Sequence, residues 1–206
     1  MWKFGDRKRV KMQRSLLIEL PGLGKPNALE RRPYPPGQHG QGRRKFSEFG
    51  LRLKEKQKLL FHYGLREEQL RRMVKRAKTG QSSDWMNTLI GMLESRLDNV
   101  VFRLGLAPSI AAARQMVTHG HVKLDGKPAS IPSQEVRPGQ EIALSDAAAA
   151  NAQYAAARQQ PRLLIADYLG LDGGEKPVGR MKSKPSSDHI PFPFDQGLVA
   201  EFYSKA

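Results

Sequence analysis

The sequence predicts an α+β protein with a basic, irregular N-terminal arm, a mostly helical domain, and a domain of two helices with a small antiparallel sheet. Apolar residues recur at helical spacing through most of residues 47–118, which predicts amphipathic helices. The Asp125-Gly126 pair, with alternating residues around it, predicts a β-hairpin. Proline and glycine interrupt residues 1–46 and disfavour regular structure there.

Composition excludes several kinds of site. The 206 residues include no cysteine, which excludes disulfides, thiolate zinc sites and cysteine nucleophiles. No apolar run approaches the length that spans a membrane, and the N-terminus lacks the features of a signal peptide. We therefore expect a soluble cytoplasmic protein with no membrane partner.

The positive charge is concentrated in the first two-fifths of the chain. Residues 1–80 contain 22 basic and 7 acidic side chains, a net charge of +15, whereas residues 81–206 contain 13 of each. A field of this strength attracts phosphate polymers and releases their counterions on binding. Nucleic acid is therefore the favoured partner. The alternatives are a merely solvated surface and an anionic membrane surface, and the membrane fits less well because the basic helices also carry core-type apolar stripes.

The arm, residues 1–46, contains the stretch RRPYPPGQHGQGRRK. Tyr34 and His39 among arginines suit stacking on bases and binding of phosphates. Gly42 is followed by two arginines and not by the Lys-Ser/Thr pair of a P-loop, so nucleotide hydrolysis is not expected. A disordered basic tail is the alternative interpretation.

Three helical stretches follow the arm. The first begins at a capping Ser47 and ends at Gly64. The second places apolar residues on one face and basic residues on the other, namely Arg71, Arg72, Lys75 and Arg76. The third opens near Asp84 and is about twenty residues long, which predicts either one helix or two helices with a bend.

Residues 113–127, ARQMVTHGHVKLDGK, change from helical to strand-like spacing, and we call them the corner. A helix capped by Ser109 is predicted to end at Gly120, and the hairpin turns at Asp125-Gly126. The corner is interpreted as a metal site, an ordinary solvated surface or a surface that binds a polyanion. A metal site is disfavoured because His119 and His121 have no third ligand near them in sequence.

Residues 146–206 are less regular. An alanine-rich helix stopped by Pro161 is predicted, with a low-complexity spacer as the alternative. Residues 162–167 are a candidate buried strand, and residues 171–188 are predicted as loop with one edge strand. A terminal amphipathic helix, capped by Asp195, is predicted to dock on the helices of residues 47–95 through Leu198, Val199 and Phe202.

No catalytic motif is present. The sequence contains no nucleophile elbow, no HExxH motif and no dinucleotide-binding fingerprint, and its carboxylates are scattered. Binding is therefore the favoured class of function, with no metal and no cofactor expected.

Four stretches carry a family resemblance. Residues 96–133, RLDNVVFRLGLAPSIAAARQMVTHGHVKLDGKPASIPS, closely resemble the signature of the S-four RNA-binding domain. Residues 31–45, residues 53–64 (LKEKQKLLFHYG) and the terminal LVAEFYSKA resemble the bacterial-type small-subunit ribosomal protein S-four family. Many relatives carry four zinc-binding cysteines near the N-terminus, so this cysteine-less chain is similar to the zinc-free branch.

The resemblance implies a structural protein that binds a multi-helix junction of small-subunit rRNA, nucleates assembly of the subunit body and affects translational accuracy. It implies contact with neighbouring small-subunit proteins, by resemblance protein five and protein three, and with its own operon's mRNA. It also implies an S-four domain inserted into a helical domain. The expected domains are the arm 1–46, a helical domain 47–95 plus 189–206, the S-four domain 96–158 and its strand and loop extension 159–188.

The side chains expected at the RNA surface lie in the arm, in the first two helices and around the corner. They are Tyr34, His39, Arg43, Arg44, Lys45, Arg52, Lys54, Lys56, Lys58, Arg71, Arg72, Lys75, Arg76, Arg96, Arg103, Arg114, Gln115, His119, His121 and Lys123. A guanidinium at such a place can fork two phosphate oxygens. In the alternative, Arg96 pairs with Asp98 or Glu94, and one corner histidine is packed.

Two other functions fit an S-four module. One is an RNA-modifying enzyme, which needs a catalytic domain of its own. The other is a small stress-response protein that acts on stalled large subunits. The arm and the terminal motif of this chain argue against that class of protein. Co-migration with small or large subunits in a gradient distinguishes these interpretations.

Overall fold

The structure, a computed structural model, confirms the α+β class. It describes residues 6–24, 26–27, 29–42, 45–80, 84–174 and 177–204, without the side chains of residues 6–8 and 153. Two compact units are distinguished, Met1–Leu70 with Pro191–Ala206 and Arg71–Ile190. The domain limits expected from the family resemblance stay predictions. No helix among the described residues is long and apolar enough to cross a membrane.

The described elements are mostly short. The helices are α1 (Asp6–Leu16), α2 (Glu48–His62), α3 (Glu67–Thr79), α4 (Trp85–Glu94), α5 (Leu97–Arg103), α6 (Ile110–Thr118), α7 (Asp146–Ala149), α8 (Ala152–Gln159) and α9 (Gln196–Ser204). The strands are β1 (Val122–Leu124), β2 (Lys127–Ala129), β3 (Glu141–Leu144), β4 (Leu169–Asp172) and β5 (Val178–Met181), and a 3₁₀ turn spans Ser187–His189.

Helix α1 lies inside the segment predicted to be an irregular arm. Residues 6–16 contain neither proline nor glycine, so nothing in their backbone chemistry opposes a helix. The Arg14 Nε donates to the carbonyl of Tyr34 at 3.0 Å, and Leu16 and Leu20 are buried. The other described residues of the arm form turns and bends, as the prolines and glycines predict.

The terminal helix α9 packs on α2, as predicted. The Asp195 carboxylate accepts a hydrogen bond from the backbone N–H of Leu198 at 3.2 Å and begins the helix. Val199 is fully buried, and the Phe202 ring lies 5.9 Å from the ring of Phe49 in α2. The amphipathic pattern of the last residues therefore predicted the helix and its docking within residues 47–95, where the structure shows α2 as the partner.

The third helical stretch is two helices, α4 and α5, which is one of the two predicted alternatives. The Asp84 carboxylate caps α4 by accepting from the Asn87 N–H at 3.0 Å. Arg96 is extended (φ −64°, ψ 137°) and pairs with Glu135 as an isolated β-bridge, which separates the helices. The alanine tract is likewise divided, into α7 and α8.

The five described strands form one antiparallel sheet in the order β2-β1-β3-β5-β4. Asp125 and Gly126 both have positive φ (49° and 76°), the conformation that a two-residue hairpin of this kind requires, so the predicted hairpin is confirmed. The sheet packs on α5 and α6 around a core that includes Val101, Met116 and Ile142.

Two strand predictions are wrong. Residues 162–167 form no strand, and Leu164 is 91% exposed. The strand begins instead at Leu169, after the buried Tyr168, because the backbone of β5 pairs there. Strand β5 is not an edge strand either, since it lies between β3 and β4. A run of apolar residues in the sequence does not show whether another strand will pair with its backbone.

Candidate nucleic-acid interface

The corner forms as predicted. The Ser109 hydroxyl accepts from the Ala112 N–H at 3.1 Å and begins α6. The chain leaves the helix through Gly120 at φ 72°, a conformation that glycine adopts without a Cβ clash. Strand β1 starts two residues later with the buried Val122. The helix and the strand thus meet at a tight turn inside the second unit.

The polar side chains of the corner face outward. Gln115 and His119 are exposed, and His121 and Lys123 are half-buried, whereas the apolar residues between them are buried. The two imidazole rings stack at 6.1 Å with an interplanar angle of 28°. Among the described residues, no three His, Cys, Asp or Glu side chains are grouped to hold a metal ion. The turn thus places an amide, two imidazoles and an ammonium group at the surface of the second unit.

The guanidinium of Arg114 forms hydrogen bonds with a buried acidic residue, Asp98. Its Nε and Nη2 donate to the Oδ2 of Asp98 at 3.0 and 2.8 Å. The Asp98 side chain is 1% exposed, and that of Arg114 is 34% exposed. Asp98 was noted in the sequence only as an alternative partner of Arg96, and the Arg-Leu-Asp sequence at the start of α5 was the available signal. The guanidinium is at the surface but already engaged along one edge.

Arg96 does not present its guanidinium to solvent. The side chain is 8% exposed, and its Nε and Nη2 donate to Asp98 at 3.0 and 2.7 Å. This is the alternative that the sequence left open, an intramolecular pair. A buried and paired guanidinium does not reach a phosphate, so Arg96 is left out of the surface proposed below.

Arg103 belongs to a second buried network. Its Nε donates to Glu94 Oε2 at 3.2 Å, and its Nη2 donates to the carbonyl of His189. The Tyr168 hydroxyl donates to the same Glu94 oxygen at 2.7 Å. Burial, and next the charge of Glu94, raises the pKa of Tyr168 well above its usual value, so the hydroxyl remains a donor. Arg103, which was expected at the RNA surface, is therefore buried and paired in the interior.

Helix α3 is amphipathic in the way its sequence predicts. Leu70, Val74 and Ala77 are buried. The exposed face carries four basic side chains, Arg71, Arg72, Lys75 and Arg76. One of them, Arg76, forms an ion pair with Glu135 at 2.8 Å, yet its side chain stays 67% exposed. An ion pair this exposed contributes little to stability, so it does not hold the Arg76 side chain firmly.

The basic residues of α2 differ in their surroundings. Lys56 is buried and pairs with Glu67 at 2.7 Å. Lys58 pairs with Glu55 at 2.5 Å, and the half-buried Arg52 pairs with Glu48 at 3.0 Å. Lys54 lies over the ring of Phe46 at 3.4 Å from its centroid. These basic side chains form more contacts within the first unit than their sequence positions suggested.

The arm contributes exposed polar groups in the same unit. His39 and Lys45 are exposed, and Tyr34 is half-buried under the guanidinium of Arg14, 5.0 Å from the ring centroid. Arg43 and Arg44, also expected at the RNA surface, lie outside the described residues. The contact between Arg14 and Tyr34 was not predicted, because twenty residues separate the two.

The comparisons with known proteins agree with the motifs. The family described as "Ribosomal protein S4/S9 N-terminal domain" matches residues 6–94, and the "S4 domain" matches residues 95–142. Small ribosomal subunit protein uS4B of Bdellovibrio bacteriovorus is 54% identical over 97% of both chains. Small ribosomal subunit protein uS4 of Methylobacillus flagellatus is 46% identical over 95% of both chains. The protein of that name from Geobacillus stearothermophilus is 45% identical over 95% of this chain and 96% of its own.

Proposed function

Because this chain belongs to the family of small ribosomal subunit protein uS4, and is a structural component of the small ribosomal subunit and not an enzyme, we propose that it binds small-subunit rRNA directly. The observation that carries the proposal is the corner, where Gln115, His119, His121 and Lys123 project from a helix-to-strand turn inside the matched S4 domain. Such a surface recognises folded RNA by shape and phosphate contacts.

The exposed face of α3 extends the proposed surface of the second unit. Its four basic side chains supply charge that does not depend on RNA sequence, and the corner supplies hydrogen-bond donors of fixed position. In the first unit, His39, Lys45 and Tyr34 are the arm residues proposed to contact RNA. Charge steers the encounter, and the donors set the register on the RNA.

The finer roles follow from the family resemblance. We propose that the RNA target is a junction of several helices, that binding it nucleates assembly of the subunit body, and that the chain influences translational accuracy. Protein five and protein three are the proposed protein neighbours, and the operon's own mRNA is the proposed second RNA. The two rival functions have no support among the relatives described above, which are named as small-subunit proteins.

Binding to protein-free rRNA tests the proposal. The purified chain is added to small-subunit rRNA and to large-subunit rRNA at one salt concentration, and protected nucleotides are mapped by footprinting. We expect a compact footprint on the small-subunit RNA at a junction of helices, with affinity that falls steeply with salt. Equal affinity for both RNAs without a defined footprint contradicts the proposal.

A further inference from the structure

The Asp98 carboxylate lies between two guanidiniums at the start of α5. It accepts from Arg96 Nε and Nη2, from Arg114 Nε and Nη2, and from the backbone N–H of Asn99 at 3.0 Å. A carboxylate that is 1% exposed is costly to bury unless its oxygens are hydrogen-bonded, and here both are. Its position is therefore fixed by the interior of the second unit.

The two arginines end in different environments. Arg96 is almost fully buried, whereas a third of the Arg114 side chain is exposed at the corner. Arg114 comes from α6, sixteen residues along the chain, so the carboxylate ties a surface side chain of α6 to the base of α5. Through this contact the interior sets the direction of one surface guanidinium.

A side chain that is already oriented before binding favours the bound state. A long flexible side chain loses rotamer freedom when it is immobilised on a ligand, and that loss weakens binding. A guanidinium already held along its Nε–Nη2 edge has given up most of this freedom before RNA arrives. Such a side chain dissociates from a phosphate more slowly than one that must be ordered anew.

The charge of the three residues explains why two arginines are present. A single Asp–Arg pair is neutral and does not attract a phosphate. Arg96, Asp98 and Arg114 together carry a net charge of +1, because the buried Arg96 balances the carboxylate. The trio can therefore orient Arg114 and still leave the corner positive.

We infer that Asp98 is a positioning residue for RNA binding, which holds the Arg114 guanidinium in the direction from which it contacts a phosphate, with Arg96 as its buried counter-charge. This inference rests on the proposed function. Asp98 touches no RNA and acts only through Arg114.

The test is a double-mutant cycle on the full chain with protein-free small-subunit rRNA. One change is Arg114→Lys, and the other is the pair Arg96→Met and Asp98→Leu, which removes the acceptor of the anchor without changing net charge or leaving a buried charge unpaired. Tyr168→Phe is the matched control, because it weakens the other buried network, around Glu94, and leaves Asp98 in place. Dissociation rates are measured at one salt concentration on variants shown to be folded.

With Asp98 present, we expect Arg114→Lys to speed dissociation about tenfold, equivalent to about 1.4 kcal/mol. In the chain without the anchor, the same substitution should change the rate less than about twofold, a coupling typical of residues in contact. In the Tyr168→Phe chain the tenfold effect should persist, which separates positioning from general loss of stability.

Three results overturn the inference, and they differ in what else they affect. A full tenfold effect of Arg114→Lys in the chain without the anchor shows that Asp98 does not position Arg114, and the proposed RNA surface stands. No effect of Arg114→Lys in the otherwise unchanged chain removes Arg114 from that surface, and the inference fails with it. If the unchanged chain does not bind the rRNA, both the inference and the proposed function fail.

Discussion

The Nε of Arg52 in α2 donates a hydrogen bond to Oε2 of Glu201 in α9 at 2.7 Å. The pair is partly exposed, so its own contribution to stability is small. Beside it the rings of Phe49 and Phe202 meet at 5.9 Å, and Val199 is fully buried. The C-terminal helix is thus held on α2 mainly by apolar contact, and the ion pair adds little.

Phe202→Ala tests the apolar packing of α9 on α2. The ring is half-buried, so we expect a loss of roughly 2 kcal/mol in the free energy of unfolding, about half of the ~3–5 kcal/mol for a fully buried ring. Chemical denaturation of the isolated protein measures it. Phe49→Ala, which removes a ring that is 61% exposed, is the control and should cost less. A denaturation midpoint equal to that of the parent chain is incompatible with the packing of α9 on α2.

Arg114→Lys separates orientation from charge. Lysine keeps the positive charge that steers association, but its ammonium is a point charge and cannot replace the planar guanidinium. We expect an almost unchanged association rate and faster dissociation from small-subunit rRNA, with a loss of about 1–3 kcal/mol in binding. Arg158→Lys in α8, outside the proposed surface, is the control. If the two variants dissociate at the same rate, the corner is an ordinary solvated surface.

Arg71→Gln with Lys75→Gln tests the exposed face of α3. For every phosphate that loses its basic partner, the plot of log affinity against log salt should become shallower by about 0.7–0.9. The control, Lys182→Gln with Lys184→Gln, removes the same charge from exposed positions just after β5. Filter binding over a range of salt concentrations gives the slopes. Equal slopes for the two double variants would falsify the assignment of α3 to the RNA surface.

Asp125 gives a pH dependence of stability with a definite sign. The backbone N–H of Glu141, and next the Gln140 amide, donate to its carboxylate and lower its pKa below the usual 3.8. Because the folded-state pKa is the lower one, the stabilisation is present above the unfolded-state pKa and is lost as pH falls through the folded-state pKa. Asp125→Asn can keep the positive φ of the turn but cannot ionise.

We therefore expect parent and Asp125→Asn chains to differ most in unfolding free energy above about pH 5, and to converge as the pH falls below 3.8. Denaturant titrations at several pH values measure the difference. A difference that grows on acidification contradicts the depressed pKa of Asp125.

Gly179→Ala tests the packing of β5 on the helices. A Cβ at this position would overlap the Cδ1 of Leu104, a side chain that is buried and has little room to move. We expect a destabilisation of about 1–3 kcal/mol, typical of overpacking. Gly173→Ala is the control, because nothing lies within 4 Å of its Cβ position. Equal stability of both variants would show that the β5 backbone is not pressed against Leu104.

The sequence by itself determined the elements whose signals are local. The caps Ser47, Asp84 and Ser109, and the hairpin at Asp125 and Gly126, are each set by a few adjacent residues, and all of them form as predicted. The amphipathic face of α9 and the family motifs are also local signals, and they indicated the docking of the helix and the family of the chain.

Only the tertiary structure decided which charged side chains reach solvent. Arg96, Arg103 and Arg114 look alike in sequence, but the first two are buried and paired with Asp98 and Glu94, whereas the third is partly exposed although it also pairs with Asp98. The same limit explains the misplaced strand near Leu164, because a strand exists only where another backbone pairs with it. Strand pairing and the partner of a charge depend on residues far away in the chain, and periodicity along the chain carries no information about them.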